Sequence, residues 1–80
     1  MRNLLHIAIA DDHDIVRRGL EVSINAFGDM EVVGQAANGL DTISLCKVQR
    51  PDILLLDLKL PDMKGIDVIR ELKTYNLPTK

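Results

Sequence analysis

The 80 residues are enough for one domain at most. Apolar residues make up 46% of the chain and charged residues 28%, a globular balance that excludes a disordered tract, and no apolar run approaches the length that crosses a bilayer. The net charge of −2 argues against a nucleic-acid surface, which carries a basic excess, but not against an acidic site for a cation.

The opening run Leu4-Leu5-His6 reaches charge at Asp11 too soon for a signal peptide. Cys46 is the only cysteine, so no internal disulfide can form. These features lead us to expect a cytoplasmic protein with no membrane association.

Short apolar runs then alternate with amphipathic stretches, the pattern of a parallel α/β sheet. A first strand is expected over about 4–10. A helix over about 14–27 follows, with Val16, Leu20, Ile24 and Phe27 at helical spacing and Arg17, Arg18 and Glu21 between them. Gly28-Asp29 stops it. A second strand is expected over about 30–36, where Gly34 marks either a close backbone approach or nothing. Asn38 is a suitable N-cap for a helix over about 39–49, which turns Leu40 and Ile43 inward, with Cys46 or the stem of Lys47. Pro51 ends that helix. The third strand, about 52–58, is apolar on both faces around Ile53-Leu54-Leu55-Leu56, as a central parallel strand is. Pro61 and Gly65 are read as turn residues, and Ile66, Ile69 and Leu72 mark a helix over about 65–75. The run Asn76 to Lys80 reads as a helix exit toward another strand.

Three aspartates fall where chemistry is expected. In an open α/β sheet, ligands bind beyond the carboxyl ends of the strands. Asp11 and Asp12 follow the first strand, and Asp57 lies near the end of the third. If those strands are neighbours, the three carboxylates converge, and like charges held together call for a cation. Mg²⁺ takes one or two carboxylates and completes its octahedron with water and phosphate oxygens.

The segments Ile7-Ala8-Ile9-Ala10-Asp11-Asp12-His13, Leu54 to Pro61 and Gly65-Ile66-Asp67 resemble the receiver domain of bacterial response regulators. Arg17, Gly19-Leu20 and the stretch from Val33 through Asn38-Gly39 look most like its NarL/FixJ branch, with LuxR-type output. The resemblance covers essentially the whole chain. It implies a flavodoxin-like parallel sheet of order 2-1-3-4-5, of which these residues would be β-α-β-α-β-α. It implies that Asp57 is the phosphoacceptor and that a sensor histidine kinase is the phosphodonor. It also implies that Mg²⁺ is held by the side chains of Asp12 and Asp57 and the backbone carbonyl of Lys59, with Asp11 acting through bound water. DNA binding would belong to a separate C-terminal helix-turn-helix domain.

In that family a fourth strand ends in a Ser or Thr and a fifth in a Lys, both of which contact the phosphoryl group. Both positions would fall beyond Lys80, and Thr79 is not placed to serve. The expectation is an incomplete receiver that takes phosphate slowly or not at all. Its third strand would be an exposed edge, inviting a homodimer or exchanged elements.

Several residues invite sharper roles than their context supports. His13 reads as a partly exposed residue at a helix start, Arg17 and Arg18 as a solvated face, and Cys46 as a small core residue without a His partner. Only the carbonyl of Lys59 is implicated, not its amine. A phosphohydrolase of the haloacid-dehalogenase type needs a second Asp two residues after its nucleophile; that position is Lys59. No G-x-G-x-x-G or G-x-x-x-x-G-K-[ST] loop is present. The remaining rival is an interaction module that takes no phosphate.

Overall fold

The computed structural model describes residues 4–75 and Thr79; the expected exit of the last helix toward a further strand falls mostly on residues outside that set. Strands β1 (Leu5–Ala10), β2 (Met30–Ala36) and β3 (Ile53–Leu56) alternate with helices α1 (Asp14–Asn25), α2 (Gly39–Gln49) and α3 (Gly65–Thr74). All pairings are parallel and the sheet order is β2-β1-β3. The strand apolar on both faces in sequence, β3, therefore lies beside the central strand and not in the middle.

β1 is the centre of the molecule. Ile7, Ala8, Ile9 and Ala10 are each at most 2% exposed, as a parallel strand covered on both faces requires. Alternation sends Ile7 and Ile9 to one face, where they meet Ile24 and Leu20 of α1 with Val32 and Ile53. On the opposite face Ile43 and Cys46 of α2 pack with Val68 and Leu72 of α3, against Leu54 and Leu56. Cys46, not Lys47, takes the inward position of α2 and is fully buried, which pushes its thiol pKa up.

Helical spacing overreached at three positions. Val16, Phe27 and Leu40 are 43%, 70% and 66% exposed. α1 ends at Asn25, so Phe27 lies past the helix and its period no longer applies. The inward stripe of α2 runs through Gly39, Thr42, Ile43 and Cys46, which turns Leu40 outward. Thr42, fully buried, donates its hydroxyl to the carbonyl of Asn38 at 2.7 Å, which satisfies it.

Local signals fix the ends of α2. Asn38 accepts from the backbone N–H of Asp41 at 2.8 Å. At the other end Arg50 adopts the left-handed region (φ 46°, ψ 57°) ahead of buried Pro51. β2 carries a register shift opposite Ile7 and Ala8, whose partners are Val32 and Gly34, so Val33 is the extra residue. A Cβ on Gly34 would run into the methyl groups of Leu45 in α2. Of the two readings of Gly34, the close approach is the one observed.

Candidate functional site

The β1–β3 pairing decides the geometry of the acidic site. Ala10 is registered with Leu56, so the two strands end level. The next residues, Asp11 and Asp57, stay tied to the ladder. Asp11 N–H donates to the carbonyl of Ala36 at 3.1 Å, and Asp57 N–H to that of Ala10 at 2.9 Å. Each βα connection therefore starts from a fixed point, and carboxylates 46 residues apart in sequence meet at one edge. One ligand atom from each of Asp11, Asp12, His13 and Asp57 falls within a cluster whose members all lie within 4.8 Å of one another. Lys59 sits on the next loop, where its backbone N–H donates to Asp57 Oδ1 at 3.2 Å.

Two residues read as bystanders are part of this edge. His13 occupies the N-cap position of α1, yet its side chain makes no capping bond. Its Nδ1 instead lies 2.6 Å from Asp11 Oδ1 and 3.0 Å from Asp12 Oδ1. Arg17 is not solvated like exposed Arg18: its side chain is 15% exposed and donates to the backbone carbonyl of Asp11 and the carboxylate of Asp14. α1 is thus fastened to the turn that carries the acidic pair. Sequence alone contains the i,i+3 spacing of Asp14 and Arg17, but not the reach of Arg17 back to the turn.

The charges respond to this arrangement. Asp11 is held below the usual carboxylate range, first by the backbone N–H of His13 at 2.8 Å; partial burial opposes the shift and the His13 ring supports it. His13 is raised above the usual imidazole value, first by its hydrogen bond to Asp11 and then by the charge of Asp12. The two signs are opposite. The His13 contribution to stability is complete while the imidazole is protonated below its usual value, and is lost as pH rises through the raised one; that of Asp11 is present above the usual carboxylate range and lost as pH falls through the lowered value.

A second fastening was not visible in the sequence. Asp62, on the loop between Asp57 and α3, accepts from the backbone N–H of Gly39 at 2.6 Å and of Leu40 at 3.0 Å. These are orphan donors at the start of α2, where negative charge is also favoured by the helix dipole. The loop is further closed by Leu60 N–H to the Met63 carbonyl at 3.0 Å and Gly65 N–H to the Leu58 carbonyl at 2.8 Å. Asp62 thereby joins the loop after Asp57 to the start of α2, across more than 20 residues of sequence. The Gly39 bond is the leading cause of a lowered Asp62 pKa, with partial desolvation opposing it. A depressed folded-state pKa contributes stability above the usual carboxylate range that is lost as pH falls through the lowered value. Asp62→Ala is therefore expected to lower the thermal midpoint at neutral pH and to become indistinguishable from wild type in acid. Melts followed by circular dichroism across that range check it; a deficit that persists in acid would show that the bonds are not charge-assisted.

Beside Asp11 and Asp57 an open depression of about 150 Å³ is lined by Ile9, Leu20, Leu55 and Leu56. It leaves apolar surface next to the acidic edge on the α1 side of the sheet. No helix among the described residues is long and apolar enough to cross a membrane.

Comparison with known proteins matches this architecture. The response regulator receiver domain profile matches residues 7–80. The chain is 43% identical over 67 residues to the transcriptional regulatory protein YhcZ of Bacillus subtilis, covering 84% of this chain and 31% of that protein. It is 34% identical over 76 residues to the transcriptional regulatory protein NarL of Mycobacterium tuberculosis, covering 95% and 35%. The signal receiver domain of that NarL superposes with a TM-score of 0.93 at 33% identity, over 98% of this chain and 63% of the other. RcsB of Salmonella enterica, solved bound to promoter P1flhDC in the presence of phosphomimetic BeF₃⁻, superposes with a TM-score of 0.85 at 28% identity, over 98% of this chain and 40% of that one. The chain thus spans about a third of the length of the curated relatives it matches. With its three-stranded flavodoxin-like sheet and the acidic edge at the carboxyl ends of β1 and β3, this chain belongs to the response regulator receiver domain family and resembles the receivers of NarL/LuxR-type transcriptional regulators.

Proposed function

We propose that this chain is a phosphoacceptor module of two-component signalling, in which Asp57 takes a phosphoryl group at a Mg²⁺ site formed with Asp12, Asp11 and the carbonyl of Lys59. The observation that carries the reading is the convergence of three carboxylates from two strands on one edge, all within 4.8 Å. Two direct carboxylates, Asp12 and Asp57, with Asp11 acting through bound water, suit Mg²⁺, which takes one or two protein carboxylates and leaves the rest of its octahedron to water and phosphate. When bound, the ion supplies charge neutralisation for the transferred group.

The chain's own residues do the remainder. A carboxylate oxygen of Asp57 is the nucleophile: it forms a bond to phosphorus as the bond from phosphorus to the donor breaks, the donor being a phosphohistidine of a sensor kinase or a small acyl phosphate. The Lys59 N–H orients the Asp57 carboxylate and the Ala10 carbonyl anchors its backbone. The module signals and does not turn over a substrate; its chemistry is limited to its own phosphorylation. In the whole protein it would gate a DNA-binding output, the activity named for its relatives. Beryllofluoride, a phosphoryl mimic, tests the site directly. The tertiary spectrum of the wild-type chain is expected to change only when Mg²⁺ and beryllofluoride are both added. A response without Mg²⁺, or no response with both, would sink the assignment.

The chain as given is also proposed to pair with a second copy of itself. Among the described residues β3 is hydrogen-bonded within the sheet to β1 alone, and Leu55 and Leu58 are 37% and 74% exposed. An open apolar edge is a template for pairing, and two copies related by a two-fold axis satisfy both edges at once. Sedimentation at micromolar concentration is expected to show a dimer, and a charge at the edge, Leu55→Lys, to return it toward a monomer. A folded wild-type monomer would refute the pairing.

A further inference from the structure

We infer that Asp62 is a positioning residue: by gripping the start of α2 it holds Lys59 where its N–H meets the Asp57 carboxylate and its carbonyl can serve the cation. The inference deepens the reading proposed above and rests on it for the role of the carbonyl. The segment 57–65 is closed on itself. Leu60 N–H donates to the Met63 carbonyl at 3.0 Å, Gly65 N–H donates to the Leu58 carbonyl at 2.8 Å, and Lys59 forms an antiparallel bridge with Lys64. A ring tied in this way moves as a unit, so whatever orients it orients Lys59. Two side chains hold it against α2. Leu60 is buried in the cluster with Ile43 and Cys46, but apolar contact has no direction. Asp62 is directional. Its two oxygens accept from successive N–H groups, Gly39 at 2.6 Å and Leu40 at 3.0 Å, and a two-point attachment to charged oxygens fixes the tilt of the ring. Met63 closes against Gly39 so tightly that a Cβ there would meet its Sδ at 2.6 Å, so the ring cannot slide further onto the helix.

The helix start that Asp62 grips is itself tied to the other half of the acidic edge. Ala36 ends β2, and its carbonyl accepts from Asp11 N–H at 3.1 Å. The short turn from Ala36 to Gly39 therefore has the backbone of Asp11 at one end and the carboxylate of Asp62 at the other. It is a strut that sets where the Lys59 loop stands relative to the turn carrying Asp11 and Asp12. A purely structural role for Asp62 would be to satisfy the helix end, and its loss would then act as any weakened cap does. Asn38 provides that comparison, because it caps the same helix through Asp41 N–H at 2.8 Å. A positioning role predicts something further, a coupling between the Asp62 grip and the cation. Such coupling is reciprocal: if the grip strengthens cation binding, the cation strengthens the grip.

The test uses the 80-residue chain as wild type, as Asp62→Ala and as Asn38→Ala, which weakens the same helix end without touching the ring. Mg²⁺ alone is the probe, titrated into folded protein by nuclear magnetic resonance. Mg²⁺ affinity is expected to fall about tenfold in Asp62→Ala, the scale on which the supports of metal ligands act, and to stay unchanged in Asn38→Ala. In the metal-free chain the Lys59 amide is expected to exchange faster in Asp62→Ala than in Asn38→Ala. In wild type, Mg²⁺ is expected to slow exchange at the Gly39 and Leu40 amides. Unchanged Mg²⁺ affinity in Asp62→Ala, or an equal fall in Asn38→Ala, overturns the inference while leaving the proposed Mg²⁺ site standing. Wild type that binds no Mg²⁺ sinks that site, and Lys59 exchange then decides: a faster rate confined to Asp62→Ala supports the positioning of Lys59, and no difference between the variants overturns it. Should circular dichroism show Asp62→Ala unfolded, Asp62→Asn, which keeps one acceptor oxygen, takes its place, with a smaller fall in the same direction expected and no fall overturning the inference.

Discussion

Asp57→Asn is expected to abolish uptake of a phosphoryl group from acetyl phosphate, where the wild-type chain with Mg²⁺ gains one slowly. The substitution is nearly isosteric. The amide oxygen can still accept from the Lys59 N–H, which bonds Asp57 Oδ1 at 3.2 Å, and the backbone bond to Ala10 is untouched. Two things are lost together: the oxygen proposed to attack phosphorus, and one of the carboxylates proposed to draw a cation to this edge. The fold should therefore survive while the chemistry does not. Asp57 is only half-buried and lies outside both apolar clusters, so its replacement is expected to change stability by no more than about 1 kcal/mol. Intact-mass spectrometry after incubation with acetyl phosphate, with and without a chelator, gives the answer. A mass gain surviving in Asp57→Asn would transfer the acceptor role to Asp11 or Asp12. The absence of any gain in wild type would leave the chain an interaction module only.

Why the acidic edge could be read from sequence, and its supports could not, has a physical explanation. Asp11 and Asp57 follow apolar runs directly, and a parallel strand passes its last residue to the carboxyl edge wherever it sits in the sheet. Strand neighbourhood was the one missing condition, and the β1–β3 register supplies it. Arg17 and His13 look like ordinary helix-start polar residues because their partners are a backbone carbonyl and side chains that only the turn brings close. Asp62 is less legible still, since its partners are N–H groups 22 and 23 residues earlier, and backbone donors leave no mark in sequence. Periodicity failed at Val16, Phe27 and Leu40 for a related reason. It reports which residues could share a stripe, whereas the neighbouring elements decide how wide the covered stripe is and where the helix stops. Cys46 and Lys47 were adjacent alternatives for the inward place in α2, and packing against α3 selected the cysteine.

Gly65→Ala is expected to destabilise the chain by about 1–3 kcal/mol, the range for a group forced into filled space, and to weaken Mg²⁺ binding with it. Gly65, read in the sequence both as a turn residue and as the start of a helix over about 65–75, is the first residue of α3. A Cβ there would lie 3.0 Å from the Cα of Leu58 and 3.1 Å from the carbonyl oxygen of Asp57, with the Leu58 carbonyl at 3.4 Å. A clash with a long side chain relaxes by rotation about its bonds, but this one is with backbone held on two sides. Asp57 N–H is bonded to Ala10 at 2.9 Å and the Leu58 carbonyl to Gly65 N–H at 2.8 Å. The backbone can give way only by shifting the segment that carries Asp57 and Lys59, or by moving the start of α3 away from it. The second route opens the contacts of Val68 and Leu72, which are 0% and 9% exposed in the cluster beneath. Either route couples stability to the site, so chemical denaturation and Mg²⁺ titration should report the same lesion. Gly34→Ala is the control. Its added methyl meets the end of a Leu45 side chain, which can rotate, and β2 does not carry the acidic residues. Gly34→Ala should then cost stability without altering Mg²⁺ affinity in the folded protein. Equal losses of Mg²⁺ affinity in the two variants would mean that the effect travels through global unfolding, and would remove Gly65 from any role in positioning Asp57.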